Sequence, residues 1–315
     1  MSIFSPSKLE PSQTRGGRRG RSRQHHEVAK SQVDKSYPLW FYLPGGVLYV
    51  VLFLVPTALS FYFAFTRWTL FKSQFIGFDN FIQFFQEPGL IGALKNTLIY
   101  AFLTSGSKVV LGLLLAVLLT APIVARGYLR SVVFFPVLVS AVGVGLTFQV
   151  LLNENGLVNR ALASIGIDGP KWLVNPDLAL YSVIGIDVWK GVGIATLIYI
   201  AGIVAIPQEY FEAARVDGAN SWQVFRNIIL PLSFPATSTV IILSLIGGLR
   251  SFDLIWATTQ GGPGFSSDVL ASVIYKQYQA GFYGLSTAGN VVLFITVAAI
   301  VYPLSRWLNR REVTL

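Results

Sequence analysis

Glu209-Tyr-Phe-Glu-Ala-Ala-Arg-Val-Asp-Gly-Ala-Asn-Ser-Trp-Gln-Val-Phe-Arg-Asn-Ile-Ile-Leu-Pro231 is a polar stretch set between two long apolar runs. It is too long and too regularly patterned for a simple connection. Its residues predict two short helices broken at Gly218. The first carries Glu209, Glu212, Ala213 and Ala214, with acidic residues near its start, where the helix dipole favours them. Gly218 supplies the left-handed backbone that ends a helix. Asn220 or Ser221 then caps a second helix, which the proline rule ends before Pro231.

The runs on either side are membrane sequence. Of 315 residues, 53% are hydrophobic and 12% charged, against about 25% charged in a soluble domain. Charged residues and histidines are absent from 36–66, 131–153, 191–208, 227–249 and 277–305. A spanning helix needs about 20 mainly apolar residues. Six spans are predicted: 40–65, 96–121, 130–152, 180–205, 235–257 and 285–306. The chain has no cysteine, and its histidines are His25 and His26. No histidine in the membrane body can therefore act as base, proton relay or metal ligand, which argues against most hydrolases and many proton-coupled pumps.

Residues 1–36 read as a disordered basic cytoplasmic arm and 37–315 as the transmembrane body, with the loop at 207–234. The arm holds Lys8, Arg15, Arg18, Arg19, Arg21, Arg23, Lys30 and Lys35. Lysine and arginine favour the cytoplasmic side. With the N-terminus inside, fifteen of the 24 fall inside and six outside, the other three being Lys108, Lys190 and Arg250 within spans. Without the arm the count is seven to six, so the arm and C-terminal tail decide the orientation. Both termini, and the 207–234 loop, are expected in the cytoplasm. The arm's basic run can meet anionic lipid or nucleic acid, but a topology anchor suffices to explain it. Membrane lipid is the expected contact, and nucleic acid is not. The first span has a long polar arm before an apolar run roughly twice a signal peptide's core, and it is not read as a cleaved signal.

Segment 67–95 reads as a short amphipathic, partly helical outer segment, and 153–178 as loop and turn. In 258–284, Gln260-Gly-Gly-Pro-Gly264 predicts a tight turn followed by an amphipathic helix. An ionised residue at a span centre costs about 2.5–3.5 kcal/mol on insertion scales and usually faces water or the bundle interior. Asp187 and Lys190 are three apart on the fourth span and share a face, a spacing that Arg250 and Asp253 repeat in the fifth. Lys108 has no evident local partner. One reading makes Asp187, Trp189, Lys190, Asp253 and Asn290 a polar path, with Trp189 as a flat surface for a sugar ring and Asn290 a pore-lining amide. The other makes the charged residues self-neutralising pairs that lock helices, and Asn290 an interhelical bond.

No G-x-x-x-x-G-K-[ST], G-x-S-x-G, H-E-x-x-H or paired-cysteine spacing occurs, so a catalytic centre on this chain is not expected. Glu212-Ala-Ala-x-x-x-Gly218, then nine residues, then Ile228-x-Leu230-Pro231, resembles the loop signature (the EAA motif) of membrane subunits of ATP-binding-cassette importers. Phe252-Asp-Leu-Ile-Trp-Ala-Thr-Thr-Gln-Gly-Gly-Pro263 resembles the sugar-permease branch, of the larger maltose-transporter permease type. The resemblance covers about 38–310. It implies an all-α, six-helix type I importer permease in the cell membrane that translocates a sugar by alternating access. It implies a coupling helix in which Glu212, Ala213, Ala214, Asp217 and Gly218 meet an ATPase subunit. It also implies a second permease subunit, often a different chain, two ATPase subunits that bind ATP and Mg, and an extracytoplasmic sugar-binding protein. No cofactor is expected on this chain. The rival reading is an ion- or proton-coupled secondary transporter, a class marked by repeated halves and broken helices around a midplane site; neither is clear in the sequence.

Overall fold

A computed structural model describes residues 39–69 and 71–311. The basic arm predicted at 1–36 lies outside the described residues. Two compact units divide the chain, one ending at Leu59 and the other beginning at Ser60. The described part of the first is the apolar helix α1, Trp40–Ala64, which runs on into the second.

The second unit opens with a short antiparallel hairpin, β1 (Thr66–Trp68) with β2 (Ser73–Phe75), where Thr66 pairs with Phe75. Helix α2, Asp79–Gln86, follows. Asn80 is buried and its amide donates to the Ala64 and Thr66 carbonyls at 2.8 and 2.9 Å, fixing the hairpin to α2. The outer segment at 67–95, predicted to be partly helical, thus holds helix α2 and also a short strand pair.

Four uninterrupted helices are long and apolar enough to span a membrane: α1, α3 (Pro88–Thr120), α7 (Ala179–Val204) and α13 (Tyr283–Asn309). Two further spans are bent pairs. Helices α4 (Arg126–Leu138) and α5 (Ala141–Leu151) meet at 98°. The predicted span 130–152 is therefore not one rod. Pro136 lies inside the last turn of α4, and Ser140 starts α5 afresh by accepting the Gly143 N–H at 3.0 Å. These two local signals outweigh an unbroken apolar run. Helix α6, Leu157–Ser164, occupies part of the segment read as loop at 153–178.

The remaining elements are α8 (Gln208–Val216), α9 (Ser221–Leu232), α10 (Phe234–Leu249), α11 (Asp253–Thr258) and α12 (Leu270–Gln279). Helices α9 and α10 meet at 65°. The predicted fifth span, 235–257, stops at Leu249: the backbone leaves the helix at Arg250, and α11 is separate.

Helix α3 is the centre of the bundle, packed chiefly on α7 and α10. Small residues set the approach. A Cβ on Gly112 would lie 2.8 Å from Ala195 Cβ on α7, and one on Gly248 of α10 would lie 2.7 Å from Ala101 Cα on α3. Between membrane helices, such close van der Waals contact substitutes for the hydrophobic drive that lipid cannot supply.

Candidate functional site

Helix α8 is preceded by Pro207 and has Glu209 in its first turn. Gly218 ends it with φ +71°, and a Cβ there would meet nothing within 4 Å. Glycine is therefore required by backbone conformation and not by space. The Gly218 and Ala219 N–H groups donate to the Arg215 and Ala214 carbonyls at 3.1 and 2.9 Å. Asn220 is the cap of α9, in a reciprocal pair: its Oδ1 accepts the Gln223 N–H at 2.9 Å, and Gln223 Oε1 accepts the Asn220 N–H at 2.8 Å. The helix does not end before Pro231. A π-helical turn, Phe225–Ile229, precedes it, and the Leu230 N–H reaches back to the Phe225 carbonyl. The widened turn gives the proline ring room where the carbonyl of an ordinary α-turn would clash.

Phe211, Val224, Phe225 and buried Ile229 pack against Leu113, Leu119, Tyr199 and Ile203 of α3 and α7. Ala214 also faces inward, with 8% exposure. Of the predicted contact residues, Glu212, Ala213, Asp217 and Gly218 are exposed. The two alanines thus do different work: Ala213 is free to meet another surface, whereas Ala214 lets α8 sit close on its own bundle. Sequence reasoning passed over Val216 and Trp222, which stand out at 88% and 65% exposure. Their apolar side chains in a polar loop were the available signal.

Within the membrane, the predicted pairings change. Lys108 Nζ donates to Asp187 Oδ2 at 2.7 Å, joining α3 to α7, with side chains 11% and 20% exposed. Asp187 and Lys190 do not pair with each other. Arg250 and Asp253 lie on either side of a helix break, and among the described residues neither makes an ion pair. Gly191 makes room for the lysine: a Cβ there would lie 2.6 Å from Lys108 Cε and 2.8 Å from Nζ. Lys108 borders a cavity of about 290 Å³ lined also by Gly191, Ile194, Ala195, Ser244 and Gly247, among others. Ser244 and Ser105 share a hydrogen bond of 2.7 Å beside it. Lys108 is twelve residues before the end of α3, about 18 Å along the axis, well inside a hydrocarbon core of about 30 Å.

The five residues of the predicted polar path do not converge. Trp189 faces another cavity, of about 420 Å³, with Phe148, Trp172, Tyr181 and Ser182. Its ring meets Phe148 edge-on at 5.2 Å. Two positions along a helix are about 200° apart, so Asp187 and Trp189 occupy opposite sides of α7. Asn290 is exposed and lines a third cavity, of about 280 Å³, with Phe252, Tyr275, Tyr278 and Ser286. Lys190 is half-buried and Asp253 exposed. Among the described residues, no group of three or more His, Cys, Asp or Glu is placed to hold a metal ion.

Residues 107–313 match the family of binding-protein-dependent transport system inner membrane components. The chain belongs to this family. The permease is 32% identical over 274 residues to the probable ABC transporter permease protein YurN of Bacillus subtilis (strain 168), covering 84% of this chain and 94% of that one. It is 31% identical over 265 residues to the trehalose/maltose transport system permease protein MalF of Thermococcus litoralis, with 82% and 90% covered. Its fold is similar to that of a chain in the crystal structure of a bacterial alginate ABC transporter in complex with an alginate pentasaccharide-bound periplasmic protein. There the TM-score is 0.75 and the identity 25%, over 93% of this chain and 100% of that one. The permease is a mostly helical ABC importer membrane component of the inner membrane, as the resemblance of its loop and of its Phe252–Pro263 block implied. The secondary-transporter alternative falls with that assignment.

Proposed function

We propose that this permease carries a sugar or oligosaccharide inward by alternating access, powered by ATP bound on separate subunits. Relatives named for trehalose/maltose and for alginate import support the substrate class. The observation that carries the mechanism is the form of the 208–232 loop. Its exposed face, with Glu212, Ala213, Asp217, Val216 and Trp222, is fixed to the bundle from beneath by Phe211, Phe225 and Ile229. A surface held in that way transmits displacement to α3 and α7, where a flexible loop would absorb it. The partners of this reading are two ATPase subunits on that face, a second permease subunit and an extracytoplasmic sugar-binding protein. The permease itself contributes no catalytic residue, and ATP and Mg belong to the ATPases. Both termini and the loop are cytoplasmic in this arrangement, on the strength of the lysine and arginine distribution.

For the sugar, we favour the cavity at Lys108, Gly191, Ser244 and Gly247, where Lys108 is held by Asp187. Intramembrane ionisable groups mark substrate paths, and this cavity lies at mid-depth with polar groups on an apolar wall. Trp189, on the far side of α7, is not part of that cavity.

The test is uptake by the complete transporter in liposomes. Gly218→Pro forbids the left-handed turn and is expected to abolish uptake and release the ATPase while the permease still inserts. Full uptake by that variant would refute the docking role. Filling the mid-depth cavity through Gly247→Leu is expected to stop transport with ATPase binding intact, and normal uptake would remove the cavity from the path.

A further inference from the structure

The cavity beside Asn290 lies apart from both the mid-depth cavity and the 208–232 loop. Asn290 is the eighth residue of α13, about 10 Å along the axis from that helix's first residue. Among the described residues its carboxamide makes no hydrogen bond, although it projects from an apolar helix. Around it stand aromatic rings. Tyr275 meets Phe252 edge-on at 5.2 Å and Trp256 at 4.9 Å, and Phe252 stacks on Trp256 at 5.6 Å. Tyr278 rests on Tyr283 at 5.3 Å and remains 57% exposed. Ser286 donates to the Ile274 carbonyl at 2.9 Å and keeps its lone pairs for a further donor. No charged residue lines this cavity.

The surroundings are built to keep these rings in place. Asp268 is fully buried at the base of the loop between α11 and α12, where its carboxylate accepts from Ser272 Oγ and from Lys276 Nζ, each at 2.7 Å. Asn96 of α3 donates to the Ser266 and Asp268 carbonyls at 2.9 Å each. This clasp holds α12, and so Tyr275 and Tyr278, against α3 and α11.

We propose that Tyr275, Tyr278 and Asn290 form a sugar-ring subsite, distinct from the mid-depth cavity. It takes one neutral pyranose, whose apolar face stacks on Tyr278 while a hydroxyl bonds to the Asn290 amide. An aromatic face, a free amide and the absence of charge match a neutral sugar. An acyl chain would leave the amide unsatisfied, at a desolvation penalty. The inference rests on the sugar-import reading above.

The test uses the complete transporter in liposomes, with maltose, trehalose and maltotriose as probes. Tyr278→Ala and Asn290→Ala are expected to raise the KM for uptake about tenfold, the size of one stacking or hydrogen-bonding contact. Maximal turnover and complex yield stay near wild type, and Tyr278→Phe, which keeps the ring, restores the KM. An unchanged KM in both alanine variants overturns the subsite. So does loss of assembly with an unchanged KM in the surviving complex, which would make this surface a contact with the second permease subunit. Failure of the broader reading looks different: Gly247→Leu would then transport normally, or the wild type would transport none of the probes, and in that last case the subsite falls too.

Discussion

Lys108 and Asp187 show what one residue can decide inside a bilayer. Desolvating either charge alone is expensive, and their contact at 2.7 Å offsets that expense only as a pair. Lys108→Met should therefore leave a buried carboxylate uncompensated and destabilise the permease by about 3–5 kcal/mol, whereas the double change with Asp187→Leu should recover most of the loss. Thermal unfolding of Lys108→Met, Asp187→Leu and the double variant measures this, and additive losses in the double variant would show that the two residues are not coupled. Gly191→Ala is a gentler probe. The atoms nearest the new methyl are the flexible end of Lys108, so the helices stay packed but the ammonium is pushed from its partner. Thermal unfolding should then show a smaller loss than for Lys108→Met, and a loss as large would mean that the methyl also separates the helices. The sequence displayed both charges but not their pairing. Spacing along one helix shows which residues share a face, as Asp187 and Lys190 do, and is silent on what the neighbouring helix presents. Gly218 was legible for the opposite reason: its role is local, set by its own φ of +71° and by the turn that follows.

At the level of elements, local chemistry outranked hydropathy in the third predicted span. An unbroken apolar run at 131–153 reads as one span, yet the Ser140 cap and Pro136 divide it with a 98° bend. Pro231 is the converse: the local stop signal is itself overridden, because widening the helix by one residue into a π-turn removes the clash. Hydropathy measures only whether a segment tolerates lipid, and a bent pair satisfies that as well as a straight rod. The start of α9 is where an element's stability can be tested. Asn220→Ala deletes one half of the capping box, which should cost about 1 kcal/mol. Amide hydrogen exchange over 221–224 should accelerate several-fold, while the buried core of α7 remains unchanged. Equal exchange in the variant would show that packing of Val224 and Phe225, and not the cap, holds this turn.

For the whole molecule, the question is which side of the membrane the 208–232 loop faces, since an ATPase can grip it only from the cytoplasm. Outside the arm, lysine and arginine divide almost evenly between the two sides, so the sequence decides orientation chiefly through residues 1–36 and the C-terminal tail. The chain has no cysteine, which makes single introduced thiols unambiguous reporters. Val216, 88% exposed beside Gly218, and Phe265, 64% exposed in the loop between α11 and α12, are suitable positions. They are separated in the chain by the bent α9–α10 span. One crossing of the bilayer must put them on opposite faces. In intact cells, a membrane-impermeant maleimide should label Phe265→Cys directly and Val216→Cys only after the membrane is opened. Adding the ATPase should then protect Val216→Cys in opened membranes and leave Phe265→Cys reactive. The reverse labelling would invert the permease and leave the loop out of reach of cytoplasmic ATP. Labelling of both from outside would mean that α9 and α10 do not cross at all. Residues 1–36 can be removed in the same assay. If they only set topology, a truncated chain that still labels in the native pattern should also transport at the native rate, and lost uptake with correct labelling would assign the basic arm a function beyond orientation.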